Sequence, residues 1–220
     1  MRKHVLVAAI AALSLSGVAI AHEAGDVILR VGPIHASPDV SSSRVKVGGQ
    51  KTDLRADVKD DTQLGLTATY MVMPHLGIEL LAATPFTHEV RLKDSSDSAK
   101  FGKVSHLPPT VSAQFFFLDP KSKFQPYVGL GLTYTIFFNE KLTSEAKDAG
   151  FSSFKLDDSI GVSAQVGMDY AITDRLILNA AVWKLGMSTT AKAKVADTVP
   201  VKVDVDINPW VYFLGLGYKF

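Results

Sequence analysis

The chain has 220 residues, a formal net charge of +1 and no cysteine. A near-neutral balance argues against a nucleic-acid-binding surface, and the length allows one medium-sized domain. A mean hydropathy of +0.16 is ambiguous alone, because apolar residues spread over every second position give the same average as a greasy core.

The N-terminus reads as a secretory signal over residues 1–21. Arg2 and Lys3 form a basic start, residues 5–15 an apolar core, and Ala19-Ile20-Ala21 a small-residue cleavage site. The mature chain is then expected to begin at His22. An exported small soluble domain without cysteine would be a surprise, whereas a barrel closed by backbone hydrogen bonds needs no disulfide. Beyond residue 21 there is no run of about 18 apolar residues, so no transmembrane helix is expected.

Alternation at period two then recurs along the chain. Val27, Leu29 and Val31 oppose Ile28, Arg30 and Gly32. Leu64, Leu66, Ala68 and Tyr70 oppose Gln63, Gly65, Thr67 and Thr69; Ile78, Leu80 and Ala82 oppose Glu79, Leu81 and Ala83. Val111, Ala113, Phe115 and Phe117 oppose Ser112, Gln114 and Phe116. Similar segments cover 124–134, 160–170 and 176–183, with Tyr127, Asp169 and Trp183 on the less apolar face. Three connections are short (73–76, 119–123 and 172–175). Four are long (38–61, 87–107, 137–157 and 186–208), in strict alternation with the short ones.

The eighth segment, WVYFLGLGYKF at 210–220, is the most telling. Trp210, Tyr212, Leu214, Leu216, Tyr218 and Phe220 form one wholly apolar face with aromatics at both ends, which water would punish and lipid favours. The pattern predicts an all-β fold: an eight-stranded antiparallel up-and-down transmembrane β-barrel over 22–220, with short periplasmic turns and long extracellular loops. Its aromatic C-terminal strand (Trp210, Tyr212, Tyr218, Phe220) is the expected signal to the barrel-assembly machinery. Outer-membrane lipid is the expected surrounding. In the last long connection alternation continues from 199 to 207, but its outward parity carries Lys202, Asp204 and Asp206. The sheet should therefore project beyond the membrane there, with Val201, Val203, Val205 and Ile207 lining the mouth. SEAKDAG at 144–150 leaves a short helix and an irregular polar loop both open.

An eight-stranded barrel is narrow and largely filled by side chains, so a general hydrophilic pore is excluded. The inward positions hold few charges (Arg30, Glu79, Asp169, Lys219) and many apolar groups: Ile28, Leu81, Phe116, Tyr127, Trp183, Val211 and Phe213. Such a lumen either hosts a small hydrophobic solute or is simply plugged. Arg30 and Glu79 are candidates to pair inside. His35, His88 and His106 show no metal-ligand spacing and read as solvated loop residues, and His22 as no more than the mature N-terminus. No nucleophile motif frames Ser105 and His106, so neither an enzyme nor a cofactor is expected.

Several stretches together resemble one family: HEAGD at 22–26, DTQLGLTATYM at 61–71, GIELLAATPFTH at 77–88, HLPPT at 106–110, KFQPYVGLGLTYTIFF at 123–138, QVGMDY at 165–170 and NPWVYFLGLGYKF at 208–220. The chain resembles the OmpW family of outer-membrane proteins, which includes AlkL. The resemblance implies a hydrophobic lumen, passage of small hydrophobic molecules with sideways exit into the membrane, and in some members a bacteriocin-receptor role. It implies a hydrophobic constriction from a leucine and a tryptophan, matching Leu81 and Trp183, both already placed inward by parity. Pro108 and Pro109 lack amide donors, so they either help form a lateral opening or mark an ordinary strand start. Two functions follow as expectations. One is a passive channel for small hydrophobic solutes. The other is a plugged structural or receptor barrel whose loops bind bacteriocin, phage or host surfaces.

Overall fold

The computed structural model describes residues 22–94 and 98–220; the expected signal segment lies outside the described residues. Eight antiparallel strands close into a barrel: β1 (Val27–Ser37), β2 (Asp61–Met73), β3 (Leu76–Ala83), β4 (Thr110–Phe116), β5 (Phe124–Leu142), β6 (Ser159–Ala171), β7 (Leu176–Leu185) and β8 (Trp210–Lys219). Each pairs with its sequence neighbour. β1 and β8 close the ring from Ile28↔Lys219 to Ser37↔Trp210. Closure matters because hydrocarbon offers no partner to an unpaired strand edge.

The strands alternate as their sequences dictate. On the outer face Leu130 is 68% exposed and Ile160 75%. Tyr70, Phe115, Phe117, Phe124, Tyr170, Tyr218 and Phe220 ring the end with the short turns, and Tyr134, Trp210 and Tyr212 lie toward the other. Aliphatic residues fill the band between, as a lipid-facing wall requires. Among the described residues no helix is long and apolar enough to cross a membrane. On β8 an added Cβ at Gly215 would collide with the Phe213 ring. The glycine therefore makes room for a large lumen side chain one position away on the same face.

The long connections, expected as loops, are largely strand. Phe86–Lys93 and Ser98–Leu107 form a hairpin flanked by Arg55–Val58. It joins the outer half of β5 from Ile136↔Leu107 to Leu142↔Gly102. A second rim sheet contains Phe151–Leu156, Ser188–Val195 and Val199–Asp206, with the short pieces Ser41–Ser42, Lys46–Val47 and Gln50–Lys51. The reason is that alternation does not stop at the membrane; only its outward parity turns polar. Val201, Val203, Val205 and Ile207 are buried together with Val90, Phe101, Val104, Phe137 and Phe154. A short helix, α1 (Ser144–Asp148), is capped by Thr143, whose hydroxyl accepts from the Ala146 amide at 3.2 Å. Gly150, at φ +84°, follows it.

Candidate functional site

The lumen is layered. Its charged layer centres on Arg30, whose guanidinium donates to both carboxylate oxygens of Asp169, at 3.0 Å from Nε and 2.5 Å from Nη2. Nη1 donates to Thr69 Oγ1 at 2.8 Å and lies 3.5 Å from Glu79 Oε2. Asn179 Nδ2 donates to Asp169 Oδ1 at 2.7 Å and to the Tyr127 hydroxyl at 3.1 Å. Arg30, Glu79, Asp169 and Tyr127 are all fully buried. The expected Arg30–Glu79 contact exists, but Asp169 is the closer partner. Opposite charges with their remaining donors and acceptors engaged are what makes a buried ion pair tolerable. Lys219, the remaining inward charge, lies 3.4 Å from Asp26 at the short-turn end.

Phe116 and Tyr127 lie near that same end, with ring centroids 5.0 Å apart. His22 joins them, 4.4 Å from the Phe116 ring and 3.2 Å from Asp169. It is fully buried, so it is a filling residue of the lumen and not merely the start of a mature chain. Leu81, Trp183, Phe213, Ile34, Leu185 and Val211, toward the rim, belong to the same buried apolar cluster as Phe116 and Tyr127. Trp183 is 0% exposed and meets Phe213 edge-on at 6.2 Å. Phe116 and Tyr127 sit at the cluster's other end: Leu81 pairs with Thr110 at the start of β4, whereas Phe116, at the end of that strand, pairs with Tyr127.

The wall is interrupted beside that apolar cluster. β3 and β4 pair as far as Leu81↔Thr110, and the rim hairpin resumes at Phe86↔His106. Between them, residues 82–85 and 107–109 share no ladder pairing among the described residues. Each side is committed elsewhere: Ala82 and Ala83 pair with β2, Thr84 N donates to Leu64 O, Leu107 pairs with β5, and Pro109 O accepts from Tyr134 N. Pro85, Pro108 and Pro109 have no amide to bridge the interval. A small apolar cavity opens here, lined by Leu81, Ala82, Ala83, Phe86, His106 and Pro108 together with lumen residues Ile34, Leu185 and Val211.

Above it the rim encloses a larger apolar chamber with about 50 Å³ of free space, room for several water-sized groups. Val90, Phe101, Val104, Phe137, Phe154, Val203, Val205 and Ile207 line it, with His88 and His106 at its base. The expectation of solvated histidines holds for His35, whose side chain is 39% exposed, and fails for the other two. His88 and His106 are 3% and 4% exposed, stacked at 4.9 Å with an interplanar angle of 13°, and Phe86 extends the stack at 5.4 Å from His106. Burial, and then the neighbouring His88, push His106 down to about 3; burial also lowers His88. Among the described residues no three metal-ligating side chains converge.

Pro85 has no signal in chain order, because nothing local says that it falls in the unpaired interval across from residues 107–109. The histidine pair does carry a signal, the alternation that runs on past residue 83. Continued, it sets Phe86, His88 and Val90 on one buried face. The C-terminal aromatics all face outward: Lys184 Nζ lies 4.8 Å over the Trp210 ring, and Tyr218 accepts from Arg175 at 3.1 Å.

The comparisons with known proteins agree with this architecture. The family model for the OmpW family matches residues 23–220. Outer membrane protein W of Vibrio cholerae serotype O1 is 43% identical over 215 residues, 97% of this chain and 96% of that protein. Outer membrane protein W of Escherichia coli strain K12 is 42% identical over 220 residues, 99% and 100% of the two chains. The crystal structure of the outer membrane protein OprG from Pseudomonas aeruginosa superposes with a TM-score of 0.87 at 46% identity, covering 90% of this chain and 97% of that one. The chain belongs to the OmpW family and is an outer-membrane β-barrel.

Proposed function

We propose that the barrel is a passive route for small hydrophobic molecules from outside the cell into outer-membrane lipid. A solute enters between the rim sheets and leaves water in the chamber near Val203 and Val205. It then passes His106 to the interrupted wall at 82–85 and 107–109, where it exits sideways. Leu81, Trp183 and Phe213 close the lumen below to water and ions. The Arg30–Asp169 layer beneath them makes straight passage to the periplasm unfavourable for an apolar solute, which would have to break buried ionic hydrogen bonds. No cofactor or energy source is invoked.

The observation that carries this reading is a coincidence of place: the apolar chamber ends where the wall loses its ladder, and His106 lines both cavities. Uptake of a hydrophobic probe by cells with and without the protein tests it. Faster uptake with the protein supports the route, and equal rates sink it.

A second reading has its own support. The filled lower lumen suits a scaffold, and the charged outward parity of the rim suits a receptor for bacteriocin or phage. Equal uptake combined with loss of bacteriocin or phage sensitivity in rim variants would favour it. For biogenesis, we infer signal cleavage after Ala21 and recognition of the aromatic C-terminal strand by the assembly machinery. The burial of His22 against Asp169 supports a processed end held inside the barrel, and N-terminal sequencing of the membrane-inserted protein tests it.

A further inference from the structure

The His88–His106 pair contains a proton order that the geometry fixes. His88 Nδ1 lies 2.5 Å from the Lys59 carbonyl oxygen, which only accepts, so Nδ1 carries the hydrogen. Neutral His88 then has a bare Nε2, 2.9 Å from His106 Nε2, so that nitrogen of His106 must donate. His106 Nδ1 is left as a lone acceptor. It is buried and has no hydrogen-bond partner. The depressed basicity of both rings is consistent with two neutral imidazoles.

We propose that His106 Nδ1 is the polar anchor of the chamber, and that the preferred solutes are small apolar molecules carrying one hydrogen-bond donor, such as a phenol or a short-chain alcohol. This rests on the channel reading above. Apart from the two histidines, the only polar side chain lining the chamber among the described residues is Thr189, whose hydroxyl already donates to the Asp157 carbonyl. Water is a poor occupant of that acceptor, because a buried water needs two to four polar partners and the walls are aliphatic and aromatic. A hydroxyl on a hydrophobic body satisfies the nitrogen and leaves the rest of the molecule against Val104, Phe137 and Ile207. A donor that meets a buried unpaired acceptor is favoured over a same-sized hydrocarbon by about five- to a hundredfold.

The test uses p-cresol and p-xylene, which differ by a hydroxyl in place of a methyl. The full chain, 15N-labelled at histidine and held in lipid nanodiscs, is titrated with each at neutral pH. The expected result is an unprotonated Nδ1 resonance of His106 that moves with p-cresol and stays in place with p-xylene. Cells are then assayed for uptake, and His106→Phe is expected to lower the p-cresol to p-xylene rate ratio about tenfold. The nanodisc spectrum stands even if that variant folds poorly. A resonance indifferent to p-cresol, or a protonated Nδ1 in the free protein, overturns the proposal whatever the uptake rates. If the resonance responds but neither solute enters faster than in cells lacking the protein, the anchor stands and the channel reading fails.

Discussion

The membrane-spanning barrel and the extracellular rim are built from the same alternating strands, yet their outward faces meet opposite surroundings. In the barrel the outward parity is Leu130, Leu132, Val162 and Leu214, and the interior mixes Arg30, Glu79, Asp169 and Gln114 with Ile28, Phe116, Trp183 and Phe213. In the rim the interior is Val90, Phe101, Val203 and Val205, while Lys202, Asp204 and Asp206 point out. The strand geometry is unchanged; what changes is the solvent that each face must satisfy. The two regimes meet near Leu81, Trp183 and Pro108, where the lumen is apolar and the wall unpaired.

The largest effect is expected inside the barrel. Asp169→Ala leaves Arg30 buried with the more distant Glu79, and should cost about 3–5 kcal/mol in urea unfolding from lipid vesicles. A loss under ~1 kcal/mol would mean that water reaches this layer. On the outer face, Leu130→Arg should cost about 2–4 kcal/mol in the same assay, whereas Lys202→Glu on the equivalent parity of the rim should stay within about 0.5 kcal/mol. Equal penalties would erase the distinction between the regions.

Acid should separate them too. His106 is held low in the folded rim, so the unfolded rim binds more protons once pH falls below its ordinary value of 6.5. Rim stability is therefore full above that pH and falls on acidification, by up to about 1.4 kcal/mol per pH unit as pH 5 is approached. Hydrogen exchange of rim amides should accelerate accordingly in wild type and less steeply in His106→Phe, where only His88 is still held low, with β6 to β8 unaffected. A flat profile in wild type would place the histidines in water. The smallest effect expected is a detectable rise in ion conductance across planar bilayers for Trp183→Ala, limited because the Arg30 layer still fills the section below. Unchanged conductance removes Trp183 from the constriction.

Much of the barrel was legible because period two is a local property. Each crossing declared its lipid face through residues such as Leu64, Leu66 and Tyr70, and the aromatic ends of 210–220 marked both interfaces. What was not legible depends on which residues meet. Arg30 and Asp169 are 139 positions apart, and nothing local ranks Asp169 above Glu79 as the partner. His88 and His106 look like loop residues until their hairpin is folded and the two rings stack. Pro108 and Pro109 announced a missing donor pair, but an opening needs both sides of the wall to fail, and Pro85 supplies the other side only in three dimensions. The rim is less legible for a related reason: Val201 to Ile207 show their apolar face, while Phe101 and Val104 lie on a second connection and Phe154 on a third, and they form a core only together.

The central claim is that the unpaired wall beside the apolar junction is the exit. The direct measurement is the initial uptake rate of p-xylene by cells carrying wild type or the double variant Pro108→Val, Pro109→Val, at equal amounts of folded protein. The valine at position 108 restores an amide donor on the Ala83 side and the valine at 109 one toward Tyr134 on β5, so that the ladder can close. The account predicts a severalfold fall toward the rate of cells lacking the protein. An unchanged rate, in a variant whose new amides are protected from exchange, would contradict it.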